Sequence, residues 1–287
     1  MGRKWGPKLE LKTVVAGDLN ELFDLLRSGE NEYIGIGNEY PWGGLYGGHI
    51  VAQALRAASA TVAKELLPHS LRAYFIRPGD HKEVVRYEVD RIRDGRSFST
   101  RRVVANQPGG AILNLEASFH RGEESLDISP IAAPSGLPTP EQCVQDHWSN
   151  LFDRRWVPRD VVHPGDTHDE SGHTIAWMKV LHDIGDDPLI QACALAFVSD
   201  AIMTDAAIRS HPVLNEIERN GGDVYNASLD HSMWFHRPIR ADDWHVHDVK
   251  CHSLVSNRGL TFGHVFSSDG THACTVAQEA LVRLPRK

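Results

Sequence analysis

Cysteine is scarce in this chain. There are four among 287 residues: Cys143, Cys193, Cys251 and Cys274. They are widely spaced and sit in unlike contexts. That argues against a disulfide framework or a Cys-paired zinc site, and fits reduced thiols in a cytoplasmic protein. Positive charge is also short: 30 Lys and Arg against 38 Asp and Glu leave a net charge of −8. A nucleic-acid groove is therefore not expected as a global feature. No apolar run reads as long enough to span a bilayer. The basic start MGRKWGPKLELKTV has no apolar core behind it, so no signal peptide is expected. The ending LPRK is not a peroxisomal signal. No G-x-S-x-G elbow is present, since GRSFS at 95–99 ends in serine, which disfavours an α/β-hydrolase. Seventeen histidines occur without H-E-x-x-H or Cys–His zinc spacing. The densest group, His245, His247 and His252, reads as strand packing, so neither a metal nor a cofactor is expected.

What remains is an ordinary globular balance, 41% hydrophobic and 24% charged. Asp18 can cap a short helix with Leu19, Leu22, Phe23, Leu25 and Leu26 on one side. Glycine pairs at 43–44 and 47–48 precede an alanine-rich helix over 49–66. Strand-like runs follow at 69–78, 82–95, 97–107 and 111–121, with hairpin spacing. One helix followed by an antiparallel meander is an α+β pattern. Four prolines between Pro130 and Pro140 then mark an extended segment, and residues 126–172 are expected to link two domains, 1–125 and 173–287. The second half repeats the first: a strand at 173–180, an alanine-rich helix at 188–208, and strands at 229–238, 243–259, 260–268 and 271–284.

The repetition reaches single residues. Phe75-x-Arg77-Pro78 returns as Phe235-x-Arg237-Pro238, Gly95-x-Ser97-Phe98 as Gly259-x-Thr261-Phe262, and Glu116-Ala117 as Glu279-Ala280. The offsets are 160, 164 and 163 residues, in one order. A period so long is a duplication of whole domains, not a solenoid.

Five segments in this order carry a resemblance: GGLYGGHIVAQAL, HSLRAYFIRPGD, RDGRSFSTRRV, LDHSMWFHRPIRADDW and GHVFSSDGTHACTVAQEALVR. Together they resemble the acyl-CoA thioesterase II family. The resemblance implies a double hotdog, with two antiparallel sheets each wrapping a long central helix. It implies hydrolysis of fatty acyl-CoA to a free acid and coenzyme A, no cofactor, and a homo-oligomer. It also implies a catalytic set of Asp200, Ser228 and Gln278. His49 departs from the family, which carries glutamine there; it is expected to touch the pantetheine or acyl group.

The residues can be weighed on their own chemistry. Asp200 is the only charge between Pro188 and Thr204. A carboxylate there is either a buried anchor or an activated group that deprotonates water. Strand alternation puts Gln278 on the face of Val276, where an amide can fix a water or simply pair with a strand edge. Ser228 reads equally as a turn serine and as a water-orienting hydroxyl. Direct attack by water follows, with backbone N–H groups at Gly47 and Gly48 as oxyanion donors. Arg91, Arg93, Arg96, Arg101 and Arg102 form either a solvated face or a pocket for CoA phosphates, with Arg96 and Arg101 as its binding residues. His69 and His231 read as caps at strand starts. Two other functions stand beside hydrolysis. A hotdog hydratase or dehydratase would need an Asp–His or Glu–His pair, and a non-catalytic acyl-CoA binder would need a decayed site.

Overall fold

The computed structural model describes residues 17–146, 148–164, 172–222 and 224–284. The basic N-terminal stretch, the last three residues and part of the expected linker (165–171) lie outside the described residues.

The first half contains α1 (Leu19–Phe23), β1 (Leu26–Arg27), β2 (Glu32–Gly35), α2 (Gly47–Ser59), β3 (Leu66–Phe75), β4 (Val85–Asp94), β5 (Phe98–Gln107) and β6 (Gly110–Arg121). The second contains β7 (Val144–Asp146), β8 (Phe152–Trp156), α3 (Arg159–Val162), β9 (His173–Val180), α4 (Pro188–Ser199), α5 (Met203–Arg209), α6 (Pro212–Arg219), β10 (Tyr225–Ser228), β11 (Asp230–Phe235), β12 (His245–Val255), β13 (Arg258–Ser267) and β14 (His272–Arg283). The duplicated α+β pattern is present: a helix, then an antiparallel meander, in each half. The two sheets are not separate, however. They join into one fourteen-stranded sheet, ordered β1-β2-β4-β5-β6-β3-β11-β14-β13-β12-β9-β8-β7, with β10 off this path and paired to β14. The seam is β3 against β11, with Asp230 opposite Tyr74 and Trp234 opposite Ser70. Each half so satisfies the other's edge, which otherwise would expose a row of unpaired backbone groups.

One core serves both halves. Leu71, Leu115 and Phe119 of the first sheet belong to the same buried cluster as Phe197, Met233 and Val276 of the second. The helices α2 and α4 meet through small residues, and Ala52, Ala54, Ala194 and Ala196 are all fully buried. Alanine gives high helix propensity and lets the backbones approach.

Two expectations change. The linker expected over 126–172 holds β7 and β8, which extend the second sheet beyond β9. The apolar helix expected over 188–208 is broken after Ser199 and resumes at Met203. Arg154, delivered by β8 and nearly buried, explains the break. Its guanidinium donates to the Ala201 carbonyl and pairs with Asp205 at 3.2 Å. That carbonyl is thereby drawn out of the helical ladder, and Asp200 is left as the C-cap. By length and composition the 22 residues Pro188–Arg209 do match a membrane span, where the sequence pattern predicts none, but the fold buries most of this stretch as core helix.

Candidate active site

Asp200 closes α4 with only 6% of its surface exposed. One carboxylate oxygen, Oδ2, accepts the Gly48 backbone N–H at 2.9 Å. This donor lies in the first turn of α2, where N–H groups have no intrahelical acceptor and the helix dipole favours a negative charge. The other oxygen, Oδ1, accepts the Ser228 hydroxyl at 3.2 Å. Ser228 ends β10, paired opposite Ala280 of β14. The Gln278 amide Nε2 donates to Ser228 Oγ at 2.9 Å. Gln278 is fully buried, on the inward face of β14.

The network continues inward. His231 Nδ1 lies 2.5 Å from Gln278 Oε1, and His231 Nε2 lies 2.9 Å from Ser199 Oγ. An amide oxygen only accepts, so His231 Nδ1 is the donor in this bond. His231 then donates to Gln278, Gln278 to Ser228 and Ser228 to Asp200, while the Ser199 hydroxyl has the Ala196 carbonyl as its acceptor at 3.0 Å. Each bond from His231 onward points its proton toward the carboxylate. Such a satisfied series polarises its members and holds them rigid.

The three residues expected for catalysis are therefore brought together. Two supports escaped the sequence reading. His231 was read as a strand cap; it is fully buried and orients Gln278. Gly48 was read as an oxyanion donor, but its N–H is engaged by Asp200. It also ties α2 of the N-terminal repeat directly to a catalytic set whose three expected members all lie in the C-terminal repeat. Proximity of Ser199 to Asp200, and of His231 to Asp230, was the available signal. Gly47 stands one residue earlier, and a Cβ there would lie 2.6 Å from Asp200 Oδ2. Aromatic rings wall the same end of α2. Tyr46 donates to the Phe197 carbonyl at 2.8 Å, and its ring lies 5.2 Å from those of both Trp148 and Phe197. Burial, then the neighbouring Asp200 charge, holds the Tyr46 phenol far above its ordinary pKa.

Other expected binding residues sit elsewhere. His49 is fully buried, with Nδ1 3.0 Å from the Tyr40 hydroxyl and Nε2 3.1 Å from the Ile36 carbonyl. It pins the 36–40 loop to α2 instead of facing a ligand. Arg101 is also fully buried. Its guanidinium binds Thr61, Arg93 and Asp94, closing the end of α2. Burial in the sheet interior leaves it no face for a CoA phosphate. Arg96 is exposed on the β4–β5 turn at that same end. About 20 Å of helix separates this end from Gly48. The histidines considered for metal do not converge. His245 and His247 bind each other at 3.0 Å in the interior, while His252 lies on an exposed part of β12. Among the described residues no three His, Cys, Asp or Glu side chains are placed to hold a metal ion. An Asp–His dyad is not formed by the series either, since His231 contacts Gln278 and Ser199, not Asp200.

Burial pushes the His49 and His245 pKa values down to about 4. The unfolded chain binds these protons from about pH 6.5 downward, while the folded chain refuses them until about pH 4. Stability is therefore lost on acidification, by about 2 kcal/mol per group at pH 5. A melting series from pH 7 to pH 5 should fall steeply, and His49→Gln should flatten it. An unchanged slope in that variant would show that His49 is not buried neutral.

Two family models cover most of the chain: the acyl-CoA thioesterase N-terminal domain over residues 38–120, and acyl-CoA thioesterase over residues 146–281. Acyl-coenzyme A thioesterase 8 of Mus musculus is 34% identical over 265 residues, spanning 84% of this chain and 80% of that protein. The chain belongs to the acyl-CoA thioesterase family. Acyl-CoA thioesterase 2 of Haemophilus influenzae is 31% identical over 280 residues, covering 92% and 94% of the two chains. The solved acyl-CoA thioesterase II TesB2 of Mycobacterium marinum superposes with a TM-score of 0.80 at 36% identity, covering 93% of this chain and 98% of that one. A hot dog fold protein from Alicyclobacillus acidocaldarius, at 18% identity, has a TM-score of 0.74 and supports the fold alone. The acyl-CoA thioesterase fold here is thus a double hotdog with its two sheets continuous.

Proposed function

We propose that Asp200, Ser228 and Gln278 are the catalytic set with which this thioesterase hydrolyses fatty acyl-CoA. The protein is a thioester hydrolase acting on acyl-CoA. Water adds to the thioester carbonyl, the carbon–sulfur bond breaks, and the products are the carboxylate, coenzyme A thiol and one proton. The observation that carries the residue assignment is the one-way series of hydrogen bonds ending on Asp200. A carboxylate has about four acceptor positions. Gly48 and Ser228 take two, which leaves room for a water. Asp200 accepts that water's proton as the oxygen attacks. Ser228 and Gln278 fix the carboxylate and the water in register, without a covalent acyl-enzyme. The developing oxyanion falls near the N-terminus of α2, where the Gly47 N–H is the proposed donor. His231 is a positioning residue acting through Gln278.

The decisive assay is release of free thiol from a panel of acyl-CoA chain lengths. Gln278→Leu should lower kcat by about 100-fold through misplacement of the water. His231→Phe should lower kcat with KM little changed. His231→Asn, which keeps a donor toward Gln278, should recover part of the loss. Full activity in Gln278→Leu would remove it from the catalytic set. We also propose a cytoplasmic homo-oligomer. The four free thiols and the exposed apolar Tyr74, Ile76 and Tyr225 support this, and sedimentation of the purified chain tests the assembly.

A further inference from the structure

The duplication maps the catalytic site onto a second place in the molecule. Helix α4 ends at Ser199 with Asp200 as its cap, and α2 ends at Ser59 with Ala60 as its cap. The offset of 160 residues that pairs Phe235 with Phe75 pairs Ser228 with Pro68. The offset of 163 that pairs Glu279 with Glu116 pairs Gln278 with Leu115. Gly48, the second residue of α2, answers to the N-terminus of α4, which begins at Pro188. Each polar group of the site is therefore replaced by an apolar one: Ala60, Pro68, Leu115 and Pro188. Proline at the last position has no N–H to offer.

The second place is not filled in. A cavity of about 580 Å³ lies beside it, lined by two of these four counterparts, Pro68 and Pro188, together with Ala192, Leu195, Phe235 and Ile239 among others. It opens at the N-terminus of α4, roughly 18 Å of helix from Asp200. Volumes of about 300–1,000 Å³ are typical of small-molecule sites. The walls are mostly aliphatic and aromatic, with His69, His120, Asp186, Gln191, His236, Arg237 and Arg240 as the polar groups. Arg240 is tied up by Asp183, Asp186 and Asp242. Arg237 pairs with Asp127, a largely exposed carboxylate. The pair is bidentate, through Nε at 3.1 Å and Nη2, so an incoming anionic or carbonyl head must displace the exposed Asp127 from it.

We propose that this cavity holds a linear acyl chain, with its head at His236 and Arg237, and does not hydrolyse it. The apolar wall selects the chain, the guanidinium selects the head, and the lost Asp, Ser and Gln counterparts exclude the chemistry. The choice of acyl ligand rests on the thioesterase reading. The head is either the carboxylate of a free fatty acid or the thioester of acyl-CoA.

The test is photolabelling of the full-length protein with a diazirine-bearing dodecanoic acid, followed by peptide mapping. Label is expected on the segments 67–69, 188–195 and 235–240. Ala192→Phe and, independently, Ile239→Trp should each reduce it at least about tenfold, the effect of displacing two buried methylenes. Thermal melting confirms that each variant is folded. Competition with S-dodecyl-coenzyme A, a thioether that cannot be hydrolysed, separates the two sources. Loss of label in these segments assigns acyl-CoA; persistence there assigns the free acid. Absence of label from all three segments, or label untouched in both folded variants, overturns the proposal. Thiol release measured on the same preparations keeps the two readings apart. Hydrolysis without label defeats this inference alone, and label without hydrolysis defeats the thioesterase reading alone.

Discussion

Replacing Asp200 by asparagine should abolish most turnover without unfolding the protein. The substitution keeps the shape of the side chain and an oxygen for the Gly48 N–H. It removes the base, and general-base catalysis supplies roughly 10²–10⁴ in rate. It also disturbs the series of bonds. The Ser228 hydroxyl now donates to Asp200 Oδ1; opposite an amide NH2 it must accept there as it does from Gln278, which leaves its own proton without that acceptor. A fall in kcat of about 10³-fold is expected, with KM changed far less. Thermal stability should hold or rise, because a neutral amide costs less to bury than a carboxylate. Measured together, kcat and Tm separate a base from an anchor. An anchoring aspartate would show the reverse: a lower Tm and near-normal turnover. That outcome would remove Asp200 from the chemistry.

The residues that could be read from sequence share one property: their signal is local or repeated. Asp200 stood out as a lone charge in an apolar helix. The meanders were visible as alternation bounded by turns, and the repeat doubled each observation. What could not be read depends on contacts between distant segments. The Gly48–Asp200 bond spans 152 residues. The seam between β3 and β11 is a register between halves, and neither strand carries a mark of it. Arg154 is one of several basic residues in a proline-rich stretch, yet it sets the break that positions Asp200. Arg101 looked like its exposed neighbours Arg96 and Arg102. Only alternation along β5 separates them, and it turns Arg101 inward toward Thr61. His49 and His231 look alike in sequence, both polar residues in apolar surroundings. One pins a loop and the other orients the Gln278 amide.

Gly48→Ala should be the most damaging single methyl group in this site. Within a helix, glycine to alanine ordinarily stabilises by about 1 kcal/mol. Here a Cβ would lie 2.1 Å from the Phe197 carbonyl oxygen and 2.6 Å from Tyr46 Cε1. The oxygen belongs to the backbone of α4, so the crowding cannot be relieved by a rotamer change. The helices must separate, at a cost of about 1–3 kcal/mol for overpacking. At roughly 2–4 °C per kcal/mol for a domain of about this size, Tm should fall by several degrees. Separation also draws the Gly48 N–H away from Asp200, so turnover should fall with it. A control is at hand in Gly44→Ala, where the nearest atom would be 3.6 Å away and no comparable loss is expected. The sign of the shift at position 48 is the informative quantity. A variant that melts higher and turns over normally would mean that helix propensity prevails, that α2 and α4 have room to spare, and that Asp200 needs no amide from the first repeat. A variant that melts lower and turns over slowly would tie the fold to the chemistry at one point: the crossing where each repeat supplies what the other lacks.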